Sequence, residues 1–95
     1  MTISRTILLR EAIGETIRDL RLTTGRTLRD VSADAQVSLG YLSEIERGQK
    51  EASSEVLSSI ADAFDLSVGE LIGETATRML AYETDAVVPL NRMAA

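Results

Sequence analysis

Residues 27–48 read TLRDVSADAQVSLGYLSEIERG and contain the most informative pattern in the chain. Thr27 and Ser38 carry hydroxyls that favour helix N-caps, and apolar residues at helical spacing follow each of them. Gly48 closes the second run, because glycine readily adopts the left-handed conformation beyond a helix end. The stretch therefore predicts two short helices, separated by a tight connection at Gln36 and Val37.

The second of these helices has two chemically different sides. On a wheel of about 100° per residue, Leu42 and Ile45 point one way. Small and charged residues gather on the opposite side, namely Gly40, Ser43, Glu44 and Arg47. Two short helices with such a division are typical of a helix-turn-helix. Glu46 falls on the inward side, where an unpaired carboxylate is costly, so it requires a partner.

Similar patterns predict helices on both sides of this motif. A first helix covers about residues 7–23, with an apolar stripe at Leu9, Ile13, Ile17 and Leu20, and Gly25 ends it. A fourth covers about residues 53–64, and a fifth begins at Ser67 with a capping box to Glu70. Residues 74–82 carry a weaker helical stripe, and Pro89 prevents a helix from continuing further. The chain is predicted to be all-α.

Composition narrows the function. The 95 residues suffice for one domain and include no Cys, His or Trp. Disulfides, thiolate or imidazole metal sites and the commonest general base are thereby excluded. With no phosphate-binding loop motif either, we expect no enzyme, no metal and no cofactor. No apolar run approaches the roughly 20 residues that span a bilayer, so we expect a cytoplasmic protein with no membrane partner.

The net charge of −5 is unevenly distributed. Residues 1–50 sum to +1, whereas residues 51–95 sum to −6. Nine of the ten basic side chains are Arg, which suits bidentate contacts to phosphate or guanine. The acidity of the whole chain therefore does not exclude a nucleic-acid-binding first half. The alternative is an ordinary solvated surface.

Residues 27–32 and 37–48 together resemble the Cro/phage-repressor (XRE-type) helix-turn-helix family, most recognisably in YLSEIERG at 41–48. Residues 61–72 resemble the closing helices of that family, and the similarity extends over about residues 7–73. More narrowly, residues 37–51 with 53–55 resemble the actinobacterial regulators of Clp protease genes. The resemblance implies a five-helix repressor-like DNA-binding domain at residues 1–73. Residues 74–95 would form a C-terminal helical extension, with a dimer contact and a tail.

The resemblance also implies a function. It predicts a sequence-specific transcription regulator that binds double-stranded DNA as a homodimer on paired half-sites. The narrower similarity implies an activator of Clp protease and stress-response genes, with RNA polymerase and Clp protease as further partners. The alternative is a protein-interaction module on the same fold, such as an antitoxin or an adaptor.

Positions in the motif suggest individual roles. Base edges would be contacted by Leu39, Gly40, Ser43 and Glu44. The DNA backbone would be contacted by Arg26, Thr27, Arg29, Ser38, Tyr41, Arg47, Gln49 and Lys50. The resemblance pairs Glu46 with Arg21 in a structural salt bridge. The loop after the motif is less basic than the family pattern, since it contains Glu51 and Glu55.

Two further predictions concern the C-terminal segment. Dimer contacts are expected at Met79, Leu80, Tyr82, Val87 and Val88, although these residues could instead cover the core of their own subunit. The small terminal residues Ala94 and Ala95 resemble tags that Clp-type proteases recognise, which would make them a degradation signal. The alternative is that this ending occurs by chance.

Overall fold

The structure is a computed structural model that describes residues 7–86. Within that range it contains five α-helices and no strand: α1 (Leu9–Thr23), α2 (Leu28–Ala35), α3 (Leu39–Glu46), α4 (Ser54–Ala63) and α5 (Val68–Ala86). The predicted all-α fold with a helix-turn-helix is confirmed. None of these helices combines the length and apolar character needed to cross a membrane.

Side-chain hydroxyls begin α2, α3, α4 and α5. Thr27 Oγ1 accepts from the Asp30 N–H at 3.0 Å, and Ser38 Oγ accepts from the Tyr41 N–H at 3.1 Å. Ser53 caps α4 in the same way. At the start of α5, Ser67 and Glu70 form the reciprocal pair that the sequence predicts. These local hydrogen bonds satisfy N–H groups that have no partner inside the helix.

Left-handed residues end α1, α2, α3 and α4. Two are the predicted glycines, Gly25 and Gly48, with φ of 70° and 73°. The other two are Gln36 and Asp65, with φ of 57° and 59°, and the sequence pattern does not distinguish them. Polar residues tolerate this conformation at some cost, so the chain can turn sharply between α2 and α3 without a glycine.

The core lies where α1 crosses α3 and α5, and where α2 packs against α3 and α4. It is formed by Ile13, Ile17, Val31, Ala35, Leu42, Ile45, Ile60, Ala61 and Leu71. Leu9 belongs to the predicted stripe of α1 but is 54% exposed. Ile13 and Ile17 of the stripe are buried, and Leu20 is half-buried against the core.

α5 is one uninterrupted helix of 19 residues. It passes through Gly73 and Glu74, the predicted boundary between the DNA-binding domain and the C-terminal extension. That boundary stays a prediction. The predicted dimer residues Val87 and Val88 lie outside the described residues. So do Ala94 and Ala95, the predicted degradation signal.

Candidate nucleic-acid interface

α3 is buried on one side and open on the other. Leu42 and Ile45 are fully buried against the core. The opposite side, here called the outer face of α3, consists of Leu39, Gly40, Ser43, Glu44 and Arg47. Leu39 is 37% exposed, Gly40 and Arg47 are exposed, and Ser43 and Glu44 are half-buried. The four predicted base-reading residues thus lie on one accessible side of a single helix.

Gly40 leaves free space on this face. A Cβ atom built at Gly40 would have no heavy atom within 4 Å. The backbone at the start of α3 is therefore accessible to a close partner, and a larger side chain could project outward there without a clash.

The inner side of α3 packs directly on the backbone of α1. A Cβ atom at Gly14 would lie 2.3 Å from the carbonyl oxygen of Ile45 and 2.7 Å from that of Glu46. Contacts of this length do not occur between real atoms, so only glycine permits this approach. Sequence spacing shows Gly14 only as an unfavourable residue within a helix, whereas the structure shows that it sets the distance between α1 and α3.

Arg21 and Glu46 form a salt bridge beneath α3. Arg21 Nε donates to Glu46 Oε2 at 2.8 Å, and Arg21 Nη2 donates to Glu46 Oε1 at 3.1 Å. The exposed fractions of the two side chains are 14% and 5%. The hydrogen bond to Glu46 raises the pKa of Arg21, although partial burial acts in the opposite direction. A planar, bidentate pair of this kind fixes orientation as well as separation.

The C-terminal end of α3 is held by a residue that the sequence analysis missed. Arg10 Nε, on α1, donates to the carbonyl oxygen of Gly48 at 3.1 Å. A Cβ atom at Gly48 would also approach within 3.0 Å of the Glu11 backbone. α1 therefore contacts α3 at its last turn, through Gly14 and Arg21, and just beyond its end through Arg10.

The hydroxyl groups of three predicted backbone-contacting residues already have partners within the chain. The hydroxyls of Thr27 and Ser38 cap α2 and α3. The Tyr41 hydroxyl donates to the Glu51 carbonyl oxygen at 3.3 Å, which connects α3 to the loop that follows it. These hydroxyl groups therefore stabilise the starts of α2 and α3 and the loop after α3, and their contact with phosphate stays a prediction.

Arg26 lies away from the outer face of α3. Its guanidinium donates to the Ala63 carbonyl oxygen at the end of α4 and pairs with Asp34. It also stacks over Phe64, with the Cζ atom 5.3 Å from the ring centroid. Arg26 thus ties the beginning of α2 to the end of α4, a role that the sequence analysis did not foresee.

Other basic side chains of the predicted backbone-contacting set remain accessible. Arg29 and Lys50 are exposed. Arg47 Nη1 donates to Ser43 Oγ at 2.6 Å, and Arg47 Nη2 reaches Gln49 Oε1 at 3.4 Å. Arg47 therefore connects a predicted base-reading residue to a predicted backbone-contacting one, and both neighbours are polar groups that a phosphate could replace.

Two of the predicted dimer residues have quite different surroundings. Leu80 is 61% exposed, whereas the Tyr82 hydroxyl donates to Glu15 of α1 at 2.8 Å. Met79 is half-buried. The exposed apolar side of α5 instead continues toward its start, through Ala76 and Ile72, which is 37% exposed. Ile72 was not among the predicted contacts.

Comparison with known proteins adds an independent line of evidence. Residues 12–73 match a family model described as a helix-turn-helix domain. The transcriptional regulator ClgR of Mycobacterium tuberculosis is 51% identical over 76 residues, which cover 80% of this chain and 68% of that protein. The HTH-type transcriptional regulator DdrOP3 of Deinococcus deserti is 40% identical over 58 residues, or 61% of this chain and 45% of that protein.

Solved structures agree with these matches. The crystal structure of the clp gene regulator ClgR from Corynebacterium glutamicum superposes with a TM-score of 0.76 at 45% identity, covering 81% of this chain and 82% of that chain. The restriction-modification controller protein C.Esp1396I was solved as a tetramer with its natural 35 base-pair operator. It superposes with a TM-score of 0.72 at 22% identity, covering 78% of this chain and 97% of that chain, which is evidence for the fold alone.

Proposed function

Because this chain belongs to the helix-turn-helix family of XRE type, together with the ClgR proteins, we propose that it is a sequence-specific DNA-binding transcription regulator. The matches confirm both resemblances seen in the sequence, to the XRE-type helix-turn-helix family and to the actinobacterial regulators of Clp protease genes. The relatives are named as regulators rather than enzymes, in agreement with the expected absence of catalysis.

The observation that carries the proposal is the asymmetric burial of α3. Its inner residues are fixed in the core, while the outer face presents short or accessible side chains over about two turns. In the major groove, Leu39 would contact a thymine methyl group and Glu44 would accept from cytosine N4. Gly40 would allow the helix backbone to approach the base edges closely.

We assign the phosphate contacts to the accessible basic residues and to the start of α3. Arg29, Arg47 and Lys50 carry the charge, and Gln49 adds a neutral hydrogen-bonding group. The N-terminus of α3 at Ser38 offers backbone N–H groups and a favourable dipole. Arg26 is left out of this set, because its guanidinium is already engaged by α4.

We further propose that two copies bind paired half-sites. A single module of this type contacts few base pairs, so a symmetric dimer is the common solution. The exposed apolar side of α5, formed by Ile72, Ala76 and Leu80, is the surface best suited to a second copy. We expect such a contact to keep the acidic residues at the start of α5, Glu70 and Glu74, away from DNA. In this division, residues 1–73 bind DNA and residues from 74 onward extend the dimer contact.

For the regulated genes, we propose those for Clp protease and the stress response. The support is the 45% identity to a protein named as a clp gene regulator, over four-fifths of both chains. We propose activation as the mode, with RNA polymerase as the partner that an activator at a promoter requires. We also propose that Clp protease degrades the regulator, on the basis of the small residues Ala94 and Ala95.

In vitro selection from random DNA tests the proposal most directly, since it yields the motif, the half-site spacing and the symmetry together. Gly40→Arg and Ser43→Glu should abolish enrichment while leaving the circular dichroism spectrum unchanged. Ser58→Arg is the matched control for Gly40→Arg, because it adds the same positive charge at an exposed position on a different helix, α4. Absence of any enriched motif for the unaltered protein, with copurification of another protein instead, would favour the antitoxin or adaptor alternative.

A further inference from the structure

α5 carries two sides with separate tasks. Leu71 and Thr75, four residues apart, are fully buried against the rest of the domain. Ile72, Ala76 and Leu80 follow at the same spacing on the exposed side. The proposed dimer surface and a part of the core therefore belong to one rigid helix, and any change in the direction of α5 moves both together.

A polar cluster sets the direction of α5 across α1. Thr16 and Thr75 are fully or almost fully buried at the crossing point, with their Oγ1 atoms 3.4 Å apart. Beyond it, Arg78 Nε donates to Thr16 Oγ1 at 3.2 Å and Arg78 Nη1 donates to Glu15 Oε1 at 3.3 Å. Its remaining nitrogen, Nη2, donates to Asp19.

The arrangement around Arg78 constrains an angle and not merely a distance. Its three nitrogens contact three residues that span more than one turn of α1. The guanidinium is planar, so these hydrogen bonds can be kept together only over a narrow range of helix directions. Tyr82, one turn further along α5, adds a hydrogen bond to Glu15. Interdigitating apolar side chains favour a crossing angle with a scatter of about 15–20°, and the directed hydrogen bonds of Arg78 narrow that range.

The same α1 helix fixes the position of α3 through Arg10, Gly14 and Arg21. The direction of α5 relative to α1 is consequently its direction relative to α3. On this basis, and resting on the proposed dimeric DNA-binding function, we propose that Arg78 is a positioning residue that sets the separation of the two α3 helices in the dimer. It would thereby determine which half-site spacing the protein accepts.

A small change in the direction of α5 is enough to alter the spacing of the two α3 helices, so a single side chain can affect it. Half-sites one helical turn apart place each α3 helix roughly 17 Å from the two-fold axis. A tilt of about 10° in each subunit would then displace each α3 helix by roughly 3 Å, close to the rise of one base pair. Loss of the Arg78 hydrogen bonds should therefore broaden the accepted spacing by one or two base pairs, without altering the contacts to either half-site.

The test measures spacing separately from half-site binding. The half-site selected by the unaltered protein is placed in duplexes with spacers varied one base pair at a time, and gel-shift affinities are measured across the series. Arg78→Met keeps the apolar stem but removes the hydrogen bonds. It should lower the preference for the best spacing over its neighbours by about tenfold, with single half-site affinity unchanged. Arg18→Met, which removes a charge from an exposed position of α1, should retain the full preference.

A second variant guards against loss of folding. Glu15→Gln with Asp19→Asn weakens the acceptors on α1 while leaving α5 intact, and it should produce the same broadening. Sedimentation must show that the variants remain dimers. An unchanged spacing profile in both variants would overturn the proposal, as would a monomeric Arg78→Met protein, since Arg78 would then act in dimerisation itself. If the unaltered protein selects no DNA motif, the proposed function fails first, and that result is distinct from an unchanged profile.

Discussion

A Cβ atom on Gly14 would lie 2.3 Å from the carbonyl oxygen of Ile45, so α1 and α3 touch backbone to backbone. Close contacts of this kind leave no room for side-chain adjustment, and backbone cannot move aside as the end of a flexible side chain can. The close approach of α3 to α1 therefore requires the absence of a single methyl group.

Gly14→Ala should destabilise the domain in spite of the higher helix propensity of alanine. The added methyl group overlaps two carbonyl oxygens, and we expect a loss of roughly 3 kcal/mol from overpacking. Gly73→Ala is the matched control, because it lies within α5 with nothing within 4 Å and should gain about 0.5–1 kcal/mol. Thermal unfolding at one protein concentration compares the two. Equal stabilisation by both alanines would contradict the close contact.

Arg21→Ala should lower the free energy of unfolding by roughly 3–5 kcal/mol, since it leaves the buried Glu46 carboxylate without its partner. For a domain of this size, that corresponds to a fall in Tm of more than about 10 °C. Arg21→Ala combined with Glu46→Leu should recover part of the loss, because the unpaired charge is then removed too. A single-variant Tm within about 2 °C of the unaltered protein would mean that the pair contributes little.

The capping box of α2 should make the stability of the domain depend on pH in the acid range. Two hydrogen bonds from Thr27 lower the pKa of Asp30 below its ordinary value of 3.8. The one from the backbone N–H has the larger effect, and the one with the side chain has the smaller effect. A carboxylate with a lowered pKa contributes stability that is fully present above its unfolded-state pKa and disappears as the pH falls through the folded-state value. Asp30→Asn should therefore reduce stability at neutral pH and have almost no effect well below pH 3.8.

Thermal unfolding of both proteins across this pH range checks the prediction for Asp30. The difference in Tm should shrink steadily as the solution is acidified. Asp62→Asn, on the exposed side of α4, is a suitable control for removal of a carboxylate. A difference in Tm that persists unchanged at low pH would assign the effect to something other than ionisation of Asp30.

Replacement of Arg47 should affect DNA binding, whereas replacement of Arg26 should affect folding stability. Arg47→Ala should reduce the slope of log affinity against log salt by about 0.9, since one phosphate contact is lost, with little change in Tm. Arg26→Ala should leave that slope unchanged and cost about 2 kcal/mol of stability, because its partners are Ala63, Asp34 and Phe64. Affinity measured at several salt concentrations, beside thermal unfolding, distinguishes the two. A reduced slope for Arg26→Ala would restore it to the phosphate-contacting set.

Features that depend on neighbouring residues could be predicted from the sequence. The hydroxyl caps at Thr27, Ser38 and Ser67 were predicted because their partners lie three residues further on. The two sides of α3 followed from helical periodicity alone, including the inward position of Glu46. The pairing of Glu46 with Arg21, 25 residues away, came from family resemblance and not from spacing.

Contacts between distant residues could not be predicted in this way. Arg10 and Gly48 are 38 residues apart, and Arg78 and Glu15 are 63 residues apart. Their meeting depends on how helices cross, which composition and periodicity do not encode. Arg26 shows the consequence, since position in the motif suggested a phosphate contact while packing directs its guanidinium to α4. Leu9 shows a second consequence, because a regular apolar stripe does not reveal which of its residues the other helices bury.

The three contacts from α1 to α3 have an evolutionary consequence. A helix held by Gly14 and Arg21 at its last turn and by Arg10 just beyond its end cannot be redocked by small mutations without unfolding the domain. New operator preferences would therefore arise by exchange of side chains on the outer face of α3, where substitutions at Leu39, Gly40 or Glu44 leave the core unaffected. Within such a lineage, we expect the target DNA sequence to diverge while the residues of α1 that hold α3 stay the same.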